Sequence, residues 1–514
     1  MSRRCIITVD CGTSSTKTAL WDEAGALLAE TSAAYRVERP DPLWAEIDAE
    51  AWWRALCVTV REVVARAGLQ ADDIAGLGLD GVGWTLIAVD KACTPLTPAM
   101  IWLDRRGEAE AAALRHTPEA DALVRLTANP LDAAYITPKL LWLKNHQPDL
   151  FADAHVFLTC SGFLTARLTG EFTCDLTQAY GYHCFDIANA RWDEAAAALL
   201  GIPLEKLPPI LAPMDIAGHL TPTAAAATGL KAGIPVIAGC LDAASGALGA
   251  GVTQLGQTNE QGGQAGGFAI SIDHVVVEPQ LIFSHHVLPG QYLLQAGTVG
   301  GGSLGWFRDV LGQVEVSAAA LLDASPFELF STQAATAPPG ANGLIWLPYM
   351  AGERTPLWSS TARGVLFGLS YASTRADILR ALMEGAAFAV YDNMRLAAEK
   401  GAVIRECLGS GGATSSPVWC QIKADIYGVP FIVARRADGG EGGHSLGIFA
   451  MTARGIGLTD NAGALVEALL PNRQVFEPVP ERHALYQEQF EIYRSISRKL
   501  LDDFDRLAAL RARP

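Results

Sequence analysis

Apolar positions recur along this chain with two periods, and the switching between them predicts an alternating α/β protein. CIITVD (5–10) is an apolar, β-branched run ending on an acidic residue, and CGTSST supplies a polar turn after it. KTALWD (17–22) reads as a second strand, and the Ala24-Gly25 turn leads into a third, ALLAET. From Asp48 to Ala67, Trp52, Trp53, Leu56, Val60, Val63 and Val64 recur at helical spacing, with Asp48 placed to cap the first turn. IAGLGLD (74–80) is a buried strand that again ends on an aspartate, followed by the Gly81–Gly83 turn and the strand TLIAVD. Alternation of this kind continues to about residue 240.

A second cycle then begins. IPVIAGCLD (234–242) is a strand ending in an aspartate, a Gly/Ala-rich stretch ASGALGAG follows, and QTNEQGGQAGGFAISID repeats the strand, glycine turn, strand unit of the N-terminus. GLIWLPY (343–349), a long helix from about Arg375 to Glu399 and the turn GSGGATSS (409–416) come next. The last segment, about Glu481 to Arg511, places Leu485, Phe490, Tyr493, Leu500, Phe504 and Leu507 on a packing helix. Its charges are mixed, which disfavours a membrane-surface role. A glycine turn between strands early in each half suggests duplicated architecture, without a repeat of fixed period.

Length and composition support this picture. A chain of 514 residues is too long for one compact core, and two large domains, 1–245 and 246–514, are expected. Half the residues are hydrophobic and 18% are charged, as in a well-buried enzyme. The net charge of −16 disfavours nucleic acid as a partner. Ten cysteines are scattered with no CxxC pair, which fits reduced, core-filling thiols in a cytoplasmic protein. His285-His286 reads as a strand pair rather than a metal site, since no further ligand spacing accompanies it. The apolar N-terminal segment is too short for a signal peptide, and no run of about 18 apolar residues predicts a membrane span.

Three segments carry candidate chemistry. In Asp10-Cys11-Gly12-Thr13-Ser14-Ser15-Thr16-Lys17 a strand ends at a carboxylate, and a tight turn then offers N–H groups, hydroxyls and a lysine. Such a turn can hold phosphate oxygens, and Asp10 is placed to hold magnesium directly or through water. It is not a Walker loop, because GxxxxGK[ST] is absent and a strand follows; a plain polar hairpin is the other reading. Asp242 sits where an apolar strand runs into small residues, so it can accept a hydroxyl proton or simply cap a helix. Gly409–Ser416 permits a flat ligand such as adenine against backbone, or is an ordinary strand–helix turn. Trp102 and Asp104 in WLDRR suit a polyol by stacking and hydrogen bonding, or a charge cluster beside a core tryptophan.

Taken together, these segments resemble the family of glycerol, xylulose, ribulose and related carbohydrate kinases over nearly the whole chain. VDCGTSSTKTALWD resembles that family's first phosphate loop, and PLWAEIDAEAWW, PAMIWLDRR and KLLWLKNHQPDLF its other N-terminal landmarks. LTGEFTCD and AGCLDAASGALGAG are similar to the segment leading to the catalytic aspartate. LPYMAGERTPLW, GVLFGLSYASTRADILRALMEG and GSGGATSSPVWCQIKADIYGVP match C-terminal stretches in order and spacing.

The resemblance implies an α/β fold of two ribonuclease-H-like domains of the actin/hexokinase type, with ATP and sugar in the cleft between them. It makes Asp242 the general base and Asp10 and Asp242 the Mg2+ carboxylates. Gly12, Thr13, Ser14, Thr16 and Lys17 would border the phosphates. Gly262, Gly263, Gln264 and Gly301 would belong to second-domain nucleotide loops, and Gly411, Gly412, Ala413 and Ser416 would border adenosine. Asp80, Gly81, Trp102, Asp104 and Asp242 would line the sugar site. Two departures stand out. Asp80-Gly81-Val82-Gly83-Trp84 occupies the place where many xylulokinases carry Gln-Met-His-Gly and glycerol kinases an Arg-Glu pair. Gly263-Gln264-Ala265 has an amide where the family loop has a hydroxyl. The expected function is ATP-dependent phosphorylation of a small sugar, nominally a ketopentose, with ribulose, erythritol or glycerol as alternative acceptors. A sugar- and nucleotide-binding regulatory protein without turnover is the reading from another class; retention of Asp10 and Asp242 disfavours it. A homodimer is a family-level expectation.

Overall fold

A computed structural model describes residues 4–262, 266–298 and 302–511. The N-terminal sheet begins as an antiparallel meander of Cys5–Cys11, Ser15–Asp22 and Leu27–Ala34. Ile74–Gly81 adds to the free edge of Cys5–Cys11 in parallel, Pro235–Ile237 adds parallel to that, and Ile216–His219 closes the edge antiparallel. The helix Ala49–Arg66 covers one face with Trp52, Leu56, Val60 and Val63, and Asp48 caps it by accepting from the Glu50 N–H at 3.0 Å, as expected.

The C-terminal sheet repeats this plan. Gln257–Gly262, Gly266–Ile272 and Tyr292–Thr298 form the meander, extended by Ile282–His285. Glu406–Ser410 and then Phe431–Arg435 add in parallel on the other side, and Asn472–Phe476 closes that edge antiparallel. The faint repeat of glycine turns in the sequence thus reflects one topology used twice.

Two local differences from the sequence reading have simple causes. IPVIAGCLD is not one strand but two, Pro235–Ile237 and Cys240–Leu241, broken at Gly239. Gly239 has φ +82°, and a Cβ there would sit 2.4 Å from the Leu79 carbonyl oxygen, so only glycine fits. The C-terminal helix divides into Pro480–Lys499 and Leu501–Arg511, and its buried stripe is Tyr486, Phe490, Tyr493 and Phe504, with Leu485 and Leu507 exposed. Tyr486, Phe490 and Tyr493 stack around Phe388 of the helix Arg375–Glu399, which a Thr374/Asp377 capping box opens at the predicted position.

The helix His444–Gly455 belongs to the second half in sequence but lies on the first sheet. Ser445 Oγ meets Thr8 Oγ1 and accepts from Trp21 Nε1, each at 2.9 Å, and the Trp21 and Phe449 rings are 5.3 Å apart. The helix Asp242–Gly249 packs against it through glycines. A Cβ at Gly447 would fall 2.0 Å from the Ser245 carbonyl oxygen, and one at Gly249 1.8 Å from that of Gly443. Backbone contact this close brings both halves together at the C-terminal ends of the first sheet's central strands. All ten cysteines are buried free thiols, as their dispersed spacing suggested.

Candidate active site

Strand register builds the centre of the site. Asp10 ends the central strand, pairs with Lys17 on one side and lies opposite Asp80 on the other. Cys240 pairs with Asp80 in turn, which sets Asp242 just beyond, as the first residue of the helix Asp242–Gly249. Three carboxylates therefore meet where parallel strands end, the usual place for ligands in α/β sheets. Lys17 Nζ stands 3.9 Å from Asp10 Oδ2 and is largely exposed.

The backbone before Asp242 is held from behind. Thr177 Oγ1 accepts from the Leu241 N–H at 2.7 Å and donates to Asp175 Oδ1 at 2.6 Å. Asp175 Oδ2 accepts from Ser161 Oγ at 2.8 Å and Gln178 Nε2 at 3.1 Å. Burial pushes the Asp175 carboxyl up to about 6, against the lowering effect of these bonds. Asp242 is half-buried, and its Oδ1 accepts from the Ala243 N–H at 2.7 Å. Burial raises its carboxyl to about 6, with His444 acting to lower it and Asp10 to raise it. A carboxyl near that value is mostly ionised at neutral pH and basic enough to take a proton.

Asp80 is completely buried. Ser245 Oγ donates to Asp80 Oδ2, and Oδ1 has no hydrogen-bond partner among the described residues. Burial, then repulsion from Asp10 and Asp242, raises its carboxyl well above the ordinary range, while Ser245 opposes this. His444 Nδ1 lies 3.8 Å from Asp10 Oδ1 and 3.7 Å from Asp80 Oδ2. A groove of about 700 Å³ opens beside this cluster, with Asp10, Lys17, Ser32, Arg66, His444 and Ser445 in its walls.

The pleat and the local packing correct four site expectations. Thr16 is one residue from Lys17 and therefore faces the other side of the sheet. It is fully buried, with Oγ1 donating to Cys11 Sγ at 3.7 Å and Tyr35 Oη at 3.4 Å, so it borders no phosphate. Gly81 turns from the cleft by the same rule, and a Cβ there would sit 2.6 Å from the Ser161 backbone nitrogen. Asp80 has no exposed surface to offer a sugar. Asp104 is also fully buried: its oxygens accept from Ala45 N at 2.7 Å and from Arg106 N, Nε and Nη2 at 3.1, 2.9 and 2.8 Å. Arg106 in turn pairs with Glu46 at 2.6 Å and lies over the Trp44 ring, 3.9 Å from its centroid.

Trp102 keeps its place beside the turn, donating from Nε1 to Thr13 Oγ1 at 3.0 Å, with the Arg354 guanidinium 5.5 Å from its ring centroid. Ser14 is exposed on the same turn, which the Gly12 N–H closes onto the Ser15 carbonyl at 3.1 Å. The departure at residues 80–84 runs from the strand end at Gly81 into a tight turn with Trp84 at φ +51°, stacked on Tyr135 at 4.4 Å and edge-on to Tyr180 at 6.3 Å. Gly83 packs against Leu241, and Lys139 Nζ holds the Trp84 carbonyl at 2.7 Å. Trp84 is half-buried in this packing, and Tyr135 and Tyr180 are fully buried behind it.

In the second half, Gly262 and the Gly411–Ser416 turn lie together. A Cβ at Gly262 would be 2.6 Å from Ala413 Cβ, and around Gly412 there is open space. Gly411 has φ +81° and ψ −179°, a conformation reserved to glycine. Glu441 braces the turn, accepting from the Gly411 N–H at 3.1 Å and Thr414 Oγ1 at 3.0 Å, and Ser416 caps the helix Pro417–Tyr427. Gly263, Gln264 and Gly301 lie outside the described residues. The sequence reading passed over His444 and Ser245; a histidine opening a helix directly after two glycines was the available signal.

Two sheets of one topology, with three carboxylates where the first sheet's parallel strands end, define an α/β enzyme of the actin/hexokinase fold. Residues 5–249 match the N-terminal domain of the FGGY family of carbohydrate kinases, and residues 273–450 match its C-terminal domain. Xylulose kinase of Escherichia coli (strain K12) is 31% identical over 502 residues, 96% of this chain and 99% of that protein. Xylulose kinase of Bacillus subtilis (strain 168) is 30% identical over 495 residues, 96% of each chain. The crystal structure of xylulose kinase from Rhodospirillum rubrum superposes with a TM-score of 0.88 at 28% identity, covering 98% of this chain and 100% of that one. The chain belongs to the FGGY family of carbohydrate kinases and is an ATP-dependent sugar kinase. No helix among the described residues is long and apolar enough to cross a membrane.

Proposed function

We propose that this kinase phosphorylates a hydroxyl of a ketopentose, with Asp242 as general base. The observation that carries this reading is the placement of Asp242: half-buried, first in its helix, and braced through Leu241 by Thr177 and Asp175. In this mechanism the Asp242 carboxylate accepts the proton of the sugar hydroxyl as its oxygen attacks the γ-phosphorus of ATP in line. The new O–P bond forms as the bond to the β-phosphate oxygen breaks, and ADP leaves with that electron pair. Thr13, Ser14 and Lys17 border the phosphates on the first turn, and Gly411, Gly412, Ala413 and Ser416 border adenosine on the second. Trp102 and Trp84, both half-buried, offer apolar surface to the C–H side of the sugar.

A buried carboxylate oxygen without a partner beside Asp10 fits a divalent cation. Asp10 and Asp242 would hold Mg2+, which would supply positive charge to the phosphoryl oxygens. We take residues 1–245 and 246–514 as the two units, in a cytoplasmic protein.

ADP release from Mg–ATP across ketopentoses, aldopentoses, tetritols and glycerol, with a no-sugar control, tests the acceptor. Turnover highest with a ketopentose is expected. Preference for a tetritol or glycerol would replace the assigned sugar, and a flat panel with ATP bound would favour a regulatory binder.

A further inference from the structure

Lys139 is completely buried, and among the described residues its ammonium meets backbone carbonyls alone. Nζ donates to Trp84, Ile101 and Ala134 at 2.7, 2.7 and 2.8 Å. An ammonium has three N–H groups, so every donor is used. The local fold does not ask for this residue. Lys139 stands in the first turn of the helix Ile136–His146, where the positive end of the helix dipole disfavours a cation. Burying an ammonium without a carboxylate in contact costs stability as well. Methionine would fill the same space without that cost, so the charge serves something other than packing.

The three carbonyls belong to three walls of the site. Trp84 follows the turn in which Gly83 packs against Leu241, the residue before Asp242; a Cβ on Gly83 would sit 2.6 Å from Leu241 Cδ1. Ile101 precedes Trp102, whose Nε1 donates to Thr13 Oγ1 of the phosphate turn at 3.0 Å. Ala134 precedes Tyr135, whose buried ring lies 4.4 Å from that of Trp84. The Trp84 and Ala134 carbonyls have no other donor among the described residues, while that of Ile101 also accepts from the Asp104 N–H at 2.9 Å. A residue as bulky as tryptophan is strained at φ +51°, so the direction of the Trp84 ring depends on what holds its backbone. Lys139 supplies that hold and joins it to the segment carrying Trp102.

We infer that Lys139 is a positioning residue for the sugar, whose three bonds fix Trp84 and Trp102 relative to each other and so set the pocket in which the acceptor hydroxyl meets Asp242. The inference rests on the reading that both half-buried tryptophans face the acceptor. Lys139 itself, with no exposed surface, touches no substrate. The adenosine turn Gly411–Ser416 belongs to the other half of the chain, so loss of Lys139 acts on the sugar and leaves the nucleotide alone.

Steady-state kinetics of Lys139→Met, which keeps the length of the side chain and removes all three donors, tests this. KM for the ketopentose of highest turnover is expected to rise at least about tenfold. ATP affinity, read by calorimetry without sugar, should stay within about twofold of wild type. Lys139→Gln, a neutral amide with two N–H groups, is a second variant and should raise KM by a smaller factor. Circular dichroism establishes that each is folded. A lysine that serves folding alone would lower the unfolding midpoint of both variants and leave KM where it was, and that result overturns the inference. Equal losses of ATP and sugar affinity overturn it too. Trp84→Ala and Trp102→Ala are measured alongside. Wild-type KM in both rejects the acceptor walls, and the role of Lys139 with them; raised KM in both, with wild-type KM in a folded Lys139 variant, rejects Lys139 alone.

Discussion

Asp104 separates a structural role from a sugar-binding one more sharply than any other residue. Its two oxygens take four hydrogen bonds, three of them from Arg106, whose guanidinium side chain is only 2% exposed. Replacing it with alanine leaves Arg106 with Glu46 alone and orphans the Ala45 N–H. Breaking one side of a buried ion pair costs about 3–5 kcal/mol. With a urea slope of about 2–3 kcal/mol per molar, the midpoint of the unfolding step that includes this region should fall by roughly 1–2.5 M. Trp44 and Trp142 lie against Arg106, so tryptophan fluorescence reports on the site itself. Under native conditions the KM for sugar should stay within about twofold of wild type, because a residue that does not touch substrate removes no substrate binding. The pair Asp104→Leu with Arg106→Met should recover much of the loss, since removing both charges leaves none stranded. A tenfold rise in KM at an unchanged midpoint would refute the structural role and restore Asp104 to the sugar site.

Other perturbations follow from the same geometry. Thr177→Val strands the Leu241 N–H and an Asp175 oxygen, each worth about 1–3 kcal/mol when buried and unpaired. It should therefore lower both stability and kcat, while Thr177→Ser stays near wild type; equal behaviour of the two variants would contradict the bracing role. His183 and His286 are buried against carbonyl oxygens, and burial pulls both down to about 4. The unfolded chain, with histidines near 6.5, binds protons that the folded chain excludes. Stability from these sites is thus complete above about 6.5 and lost as pH falls toward 4. Thermal midpoints between pH 7 and 5 should fall less steeply for His286→Gln than for wild type, and parallel curves would count against the assignment.

Much of the fold and part of the site can be read in the sequence because strands that end on an aspartate are local signals. Asp10 and Asp242 were found that way, and the capped helices at Asp48 and Thr374 follow from residues a few positions apart. Facing was harder to read. Thr16 and Lys17 both sit in the phosphate-loop string, yet the pleat sends one into the core beside Tyr35 and the other to the cleft. Asp104 looked like a polyol ligand because its partner Ala45, and the Glu46 that shares Arg106 with it, lie about 60 residues earlier in the chain. His444 is about 200 residues from Asp242 in sequence, and reaches the cluster only because Gly246, Gly249 and Gly447 let two helix backbones touch. Spacing along the chain carries no trace of such an approach.

Sugar-dependent ADP release by Asp242→Asn, measured beside its affinity for ATP, tests the central assignment most directly. Asparagine keeps the size and the hydrogen bond to the Ala243 N–H but cannot take a proton at neutral pH. Loss of a general base should lower kcat by about 10²–10⁴-fold, with ATP bound as tightly as by wild type. Turnover within a few-fold of wild type would show that another group takes the sugar's proton.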